Sequence, residues 1–168
     1  ELVAEGRSQA IDGAEAAIRR FLADGRRVAF TTGFARGTAD AILDSLGWTD
    51  LAGPALTPAD AGRGRPSPDL NLLALLRTGA SAVAALAVVG DTESDMAAGV
   101  AAGAGLVVGV LTGSREREAL LAIGVVAEEP AQQVGLTGPD DALERTAIDR
   151  VVAGEVDRRD TRAITLID

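Results

Sequence analysis

Two aspartates four residues apart, Asp91 and Asp95, follow the apolar run Ala87-Val88-Val89-Gly90. An apolar run that closes on Gly and then Asp reads as a buried strand delivering a carboxylate to its C-terminal tip. The second Asp then falls on the first turn of the following helix. Carboxylates at a strand tip form a hard oxygen site suited to Mg²⁺, and open α/β sheets bind their ligands at that edge. The expected chemistry is metal-assisted and directed at a phosphate-like group. Asp91 is the expected metal ligand, and Asp95 orients the site or helps to hold the ion. Thr92 and Ser94 supply hydroxyls or cap the helix. The competing reading is a plain strand–helix junction with Asp91 or Ser94 as N-cap.

Two further segments fit this arrangement. In Val28-Ala29-Phe30-Thr31-Thr32-Gly33 an apolar strand ends in two hydroxyls and a glycine. Such a tip offers an O–H and backbone N–H groups to a phosphoryl oxygen. On its own, however, a Thr pair at a strand end is more simply explained by β-propensity. In Gly62-Arg63-Gly64-Arg65-Pro66-Ser67-Pro68-Asp69, Gly64 and Pro66 hold the backbone around Arg65 just ahead of a helix. A guanidinium held there binds phosphate oxygens in bidentate fashion. Arg63 competes with it, and a solvated basic loop is an equal reading of the segment alone.

These segments need elements to position them. Apolar spacing predicts a helix over 13–23, opened by a capping box from Asp12 to Glu15 and stopped at Gly25. A buried strand over 27–31 follows, then a helix over 36–46 ending at Gly47. Residues 48–65 read as a Gly- and Pro-rich loop with room for a short strand. Ser67 as N-cap and Pro68 at the first helical position open a helix to about 77. A strand over 84–89, a helix over 94–102, a strand over 106–110, a helix capped by Ser114 and a weak strand at 125–126 complete the alternation. That alternation predicts an α/β fold, a Rossmann-like three-layer core with a mainly parallel sheet. Residues 1–134 form this core. Residues 135–168 form a linker, a helix over 142–153, a charged stretch and a strand-like run ending in Asp168.

The composition excludes several chemistries. The 168 residues suffice for one domain with a sizeable core. Aromatics make up only 2%, so that core is built from Ala, Val, Leu and Ile. With no His and no Cys, zinc sites of the usual kind, disulfides and histidine acid–base catalysis are ruled out, and carboxylates must do that work. A net charge of −9 argues against nucleic-acid binding. No apolar run reaches membrane-spanning length, and no signal peptide is visible, so a cytoplasmic location without membrane contact is the expectation.

In this order, a strand ending in Thr31, the Gly64-Arg65-Pro66-Ser67-Pro68-Asp69 loop and Gly90-Asp91-Thr92-Glu93-Ser94-Asp95 resemble motifs II, III and IV of the haloacid dehalogenase (HAD) superfamily. Thr31-Thr32-Gly33-Phe34-Ala35-Arg36, Leu46-Gly47-Trp48 and an Arg in the third motif are similar to its phosphonatase-like branch. The resemblance covers residues 2–127. It implies a Mg²⁺-dependent hydrolase acting on a small phosphorylated or phosphonate metabolite through an Asp nucleophile. It also implies that Thr31 hydrogen-bonds the transferring phosphoryl group, with Thr32 and Gly33 beside it, and that Arg65 neutralises it. Asp91 would coordinate Mg²⁺ and Asp95 would support the loop.

The resemblance breaks at motif I. The Asp-x-Asp-Gly-Thr-like segment expected near the N-terminus is absent, as are the helical cap and a Schiff-base Lys. Residues 162–168 resemble a motif I strand cut off at the nucleophile, with Asp168 as its last residue. An unrelated edge strand or an unstructured terminus is nevertheless the preferred reading of that run. A missing central strand would leave unpaired backbone in mid-sheet. The chain is therefore expected to be part of a larger protein, a rearranged core or a less stable fragment, with an open edge that leaves room for a homodimer. The alternative from another class is a noncatalytic phosphate- or metal-binding module. A receiver-like signalling domain lacks its late Lys and ranks lowest.

Overall fold

The computed structural model describes residues 10–113 and 115–123, together with the backbone of 125–127 and 163–167. In chain order the elements are α1 (Ala14–Ala23), β1 (Arg27–Thr31), α2 (Arg36–Leu46), α3 (Thr49–Ala52), α4 (Pro58–Ala61), α5 (Asp69–Thr78), a 3₁₀ turn (Val83–Ala85), β2 (Leu86–Gly90), α6 (Glu93–Ala102), β3 (Leu106–Val110), α7 (Arg117–Leu121), β4 (Val125–Ala127) and β5 (Ala163–Ile167). The Asp168 side chain, the linker at 135–141 and the predicted helix at 142–153 lie outside the described residues, as does Ser114.

The five strands form one parallel sheet in the order β1-β5-β2-β3-β4. The C-terminal run is therefore neither an edge strand nor a loose terminus. Strand β5 lies between β1 and β2, pairing Thr31 with Ile167 on one side and Val89 with Leu166 on the other. The gap expected in mid-sheet is closed by it, so the ladder groups of β1 and β2 that face it find partners.

Strand alternation sends successive side chains to opposite faces. From β1, Val28 and Phe30 join Ile18 and Phe21 of α1, Leu43 of α2, and Trp48. Phe30 and Trp48 stack with ring centroids 5.9 Å apart. Ala29 faces the other way, onto Leu70 and Ala74 of α5, while Leu86 and Val88 of β2 are covered by Leu75 and Ala80. Helices on both faces make the three layers. Leu70, Leu86, Val88 and Met96 are buried to 1% exposure or less, each stabilising the fold by roughly 1.5–3 kcal/mol.

Several local elements differ from the sequence-based expectation. The Asp12–Glu15 capping box does not form: Gly13 is the N-cap, in the left-handed region at φ 78°. The Glu15 carboxylate is instead held by Arg19 Nε at 2.7 Å and Trp48 Nε1 at 3.3 Å, so it does not reach back to the cap. Helix α5 starts at Asp69 with Pro68 as its cap and no capping side chain. The segment over 48–65 is more ordered than a loop. It carries two short helices that were not expected, and the short strand it had room for is a single bridge from Leu56 to Thr31 that extends the sheet. No described helix is long and apolar enough to cross a membrane.

Candidate active site

The C-terminal tips of β1, β5 and β2 lie side by side. Thr31 ends β1, Ile167 ends β5 opposite it, and Asp91 follows the last residue of β2. Thr31 is 1% exposed, and its buried Oγ1 has no hydrogen-bond partner among the described residues. The Thr32 N–H donates to the Leu56 carbonyl at 2.9 Å, and Thr32 Oγ1 accepts the Phe34 N–H at 3.1 Å. That small turn carries Gly33 at the mouth of the site.

Gly33 marks where a distant cation meets this strand tip. A Cβ there would stand 3.0 Å from Arg65 Nη2. Arg65 thus lies against the β1 tip although 34 positions separate the two in the chain. Its Nη1 donates to Asp95 Oδ1, with the Asp side of the pair fully buried and the Arg side 17% exposed. The competing cation Arg63 is turned away: its Nε and Nη2 donate to the two carboxylate oxygens of Asp69, each at 2.7 Å.

Asp95 organises the β2 tip. Thr92 is the N-cap of α6. The Thr92 N–H and Oγ1–H donate to Asp95 Oδ2 at 2.9 and 2.6 Å, and the Asp95 N–H donates back to Thr92 Oγ1 at 3.3 Å. This reciprocal box satisfies orphan groups of the first turn. Neither Asp91 nor Ser94 is the cap. The side chain of Asp95 folds back over the strand end so closely that a Cβ at Gly90 would lie 2.3 Å from its own Cβ. Gly90 is therefore required by packing, where the sequence showed only a strand terminator.

Asp91 is the half-buried end of this arrangement. Its buried Oδ1 has no hydrogen-bond partner among the described residues. Burial first, and then the neighbouring Asp95 charge, push its carboxyl above the ordinary value, while Arg65 and Arg115 pull the other way. The loop after β3 passes directly over it, and a Cβ at Gly113 would lie 2.0 Å from Asp91 Oδ2. Neither Gly113 nor Arg115, which pairs with Glu93 at 3.3 Å on the rim, was singled out in the sequence. The Thr112-Gly113 pair just past a strand tip was the only local clue.

These groups fit a divalent cation as part of a ligand set. A desolvated carboxylate with an unpartnered oxygen and a like charge beside it is relieved by a hard cation. Among the described residues no three acidic, His or Cys side chains gather at one point, so Asp91 and Asp95 alone do not complete such a set.

Comparison with known proteins agrees with this geometry. Residues 1–103 match the haloacid dehalogenase-like hydrolase family. A HAD family hydrolase from Deinococcus radiodurans R1, solved with bound phosphate and sodium, is 31% identical, with a TM-score of 0.65 over 74% of this chain and 57% of its own. A hydrolase from Pseudomonas syringae is 27% identical, with a TM-score of 0.66 over 73% of this chain and 58% of its own. A phosphonoacetaldehyde hydrolase-like protein from Oleispira antarctica shares the fold at 22% identity and a TM-score of 0.61, covering 97% of this chain and 54% of its own. The chain thus spans just over half the length of these structures. No curated protein matches it in sequence. With the motif-bearing strands, the parallel three-layer sheet and the family match in agreement, this chain belongs to the haloacid dehalogenase-like hydrolases.

Proposed function

We propose that this chain forms the phosphoryl-handling core of a Mg²⁺-dependent hydrolase acting on a small phosphorylated or phosphonate metabolite. The observation that carries the reading is a pair of buried oxygens without a hydrogen-bond partner among the described residues, Thr31 Oγ1 and Asp91 Oδ1, at the tips of the two strands that flank β5. In a folded protein such atoms call for a partner, and a phosphoryl group with its counter-ion supplies one to each.

The roles follow from the donors and charges present. Thr31 Oγ1–H donates to a phosphoryl oxygen, and the turn formed by the buried Thr32 and the exposed Gly33 borders the same group. Arg65, held by Asp95, neutralises its charge. Asp91 is the metal ligand; when bound, Mg²⁺ supplies charge neutralisation at the phosphoryl oxygens. Asp95 keeps the β2 tip and Arg65 in register. The nucleophile is assigned to Asp168, which follows Ile167 in the chain and lies outside the described residues. Its carboxylate oxygen attacks phosphorus, and the bond to the leaving oxygen breaks with its electron pair, which takes a proton from solvent. Water then hydrolyses the aspartyl-phosphate, regenerating the carboxylate and releasing phosphate.

The test is Mg²⁺-dependent release of nitrophenol from para-nitrophenyl phosphate by wild type, Asp91→Asn and Asp168→Asn. Turnover in the wild type that is lost in both variants supports the reading. Turnover that persists in Asp168→Asn removes the tail from the mechanism. Mg²⁺ binding that Asp91→Asn abolishes, with no turnover in the wild type, identifies a noncatalytic phosphate- or metal-binding module. The presence of only two carboxylates among the described site residues favours that second reading.

A further inference from the structure

Arg65 reaches the site on a loop, and a loop places a guanidinium accurately only if something holds the loop. Three contacts lead back from it. A Cβ at Gly64 would lie 3.3 Å from Pro58 Cγ, so the residue before Arg65 packs directly on the first residue of α4. Helix α4 is fixed by a capping box in which the Thr57 N–H and Oγ1–H donate to Asp60 Oδ2 at 2.7 and 2.8 Å. The same Asp60 oxygen accepts from Arg36 Nη2, while Arg36 Nη1 donates to the Ala55 carbonyl at 2.5 Å and reaches Asp40 at 3.5 Å. Arg36 opens α2, five residues after Thr31. Leu56, one residue before the cap, is hydrogen-bonded to β1 through Phe30 O and Thr32 N.

We infer that Asp60 is a positioning residue for Arg65. Its carboxylate clamps the Arg65 loop, through α4 and Pro58, to the same strand tip that carries Thr31. A single oxygen collects three donors from two separate segments, two of them on Thr57 and one on Arg36. That is more than capping a four-residue helix requires. The clamp fixes the spacing between the hydroxyl of one motif and the cation of the next, which is the spacing a phosphoryl group must span. This inference rests on the phosphoryl-transfer reading for its effect on rate, but not for its effect on where Arg65 lies.

The experiment is a double-mutant cycle on the full chain: wild type, Asp60→Asn, Arg65→Ala and the double variant, with Arg36→Lys as a second way to open the clamp. Turnover of para-nitrophenyl phosphate is measured as kcat and KM. The ¹H–¹⁵N resonance of the Arg65 Nε, identified by its disappearance in Arg65→Ala, is followed independently of activity. Asp60→Asn and Arg36→Lys should lower kcat about tenfold, the scale of a small misplacement of a catalytic group, with KM within about twofold. In the Arg65→Ala background Asp60→Asn should cause no further loss. The Arg65 resonance should shift in both clamp variants. A kcat loss of the same size with or without Arg65 would mean that Asp60 only stabilises the fold, and an unmoved resonance would overturn the inference outright. A silent wild type with a shifted resonance would sink the hydrolase reading and leave the clamp standing.

Discussion

Replacing Asp95 tests the site as a piece of folding chemistry, independently of turnover. The carboxylate is fully buried and accepts from the Thr92 N–H, the Thr92 Oγ1–H and Arg65 Nη1. Asp95→Ala removes all three acceptor contacts. The lost cap is worth about 1 kcal/mol. The charge-assisted bond to Arg65 is worth about 1.5–3 kcal/mol. With 0% and 17% exposure on its two sides, that bond is little weakened by solvent screening. The expected cost is about 2.5–4 kcal/mol. Asp95→Asn keeps one oxygen for the Thr92 N–H and should lose only about 1–2 kcal/mol. Urea unfolding followed by circular dichroism measures both, provided the m-value is unchanged. The same Asp95→Ala change made on an Arg65→Met background should cost about 1 kcal/mol, because only the cap is left to lose. A loss below about 1 kcal/mol for Asp95→Ala in the otherwise wild-type chain would refute the argument that this box and ion pair hold the β2 tip.

Three other outcomes are expected. Asp91→Asn should raise the thermal midpoint of the metal-free protein, since it removes a half-buried carboxylate beside the like charge of Asp95, and the rise that Mg²⁺ produces in the wild type should vanish; an unchanged response to Mg²⁺ would exclude Asp91 as a ligand. Thr165→Pro removes a ladder donor from the middle of β5, paired with Ala29 and Val88, and should cost at least the roughly 1–3 kcal/mol of a buried acceptor left unsatisfied; unaltered unfolding would show that β5 is not the central strand. The carboxyl of Asp60 is held below its ordinary 3.8, chiefly by the backbone hydrogen bond from Thr57. Its stabilising contribution is therefore present above that value and lost as pH falls below it, through the lower folded-state pKa. The thermal midpoint of Asp60→Asn should fall less steeply than that of wild type over that interval, and parallel curves would count against the cap.

The legible parts of this chain were those set by neighbours in sequence. Apolar runs bounded by Gly placed β1, β2 and β3 to within a residue or two, since burial on both faces selects uninterrupted Val, Ala and Leu. The i, i+4 spacing of Asp91 and Asp95 was enough to put one at the strand tip and one on the first turn of α6. The caps were less legible. Asp12 and Ser67 have the right chemistry, but the left-handed Gly13 and the ring of Pro68 occupy the cap positions instead. Thr92 was one of several candidates until the direction of the Asp95 carboxylate decided among them.

Sequence alone determined the inventory: which strand tips carry Thr31 and Asp91, that Arg65 precedes a helix, and that without His or Cys the chemistry falls to carboxylates. Tertiary structure decided who meets whom. The place of β5 is set by pairing with segments far away in the chain, Leu86 and Arg27 both meeting Ala163, and nothing local in Ala163–Ile167 distinguishes an edge strand from a central one. The slot between β1 and β2 makes that distinction, because it buries both edges of whatever strand fills it. The choice of Arg65 over Arg63, the closeness of Gly113 to Asp91 and the clamp from Arg36 to Asp60 are likewise contacts between distant segments. Each depends on how rigid helices and strands are brought together by their shared core, and short-range patterns carry no information about that distance.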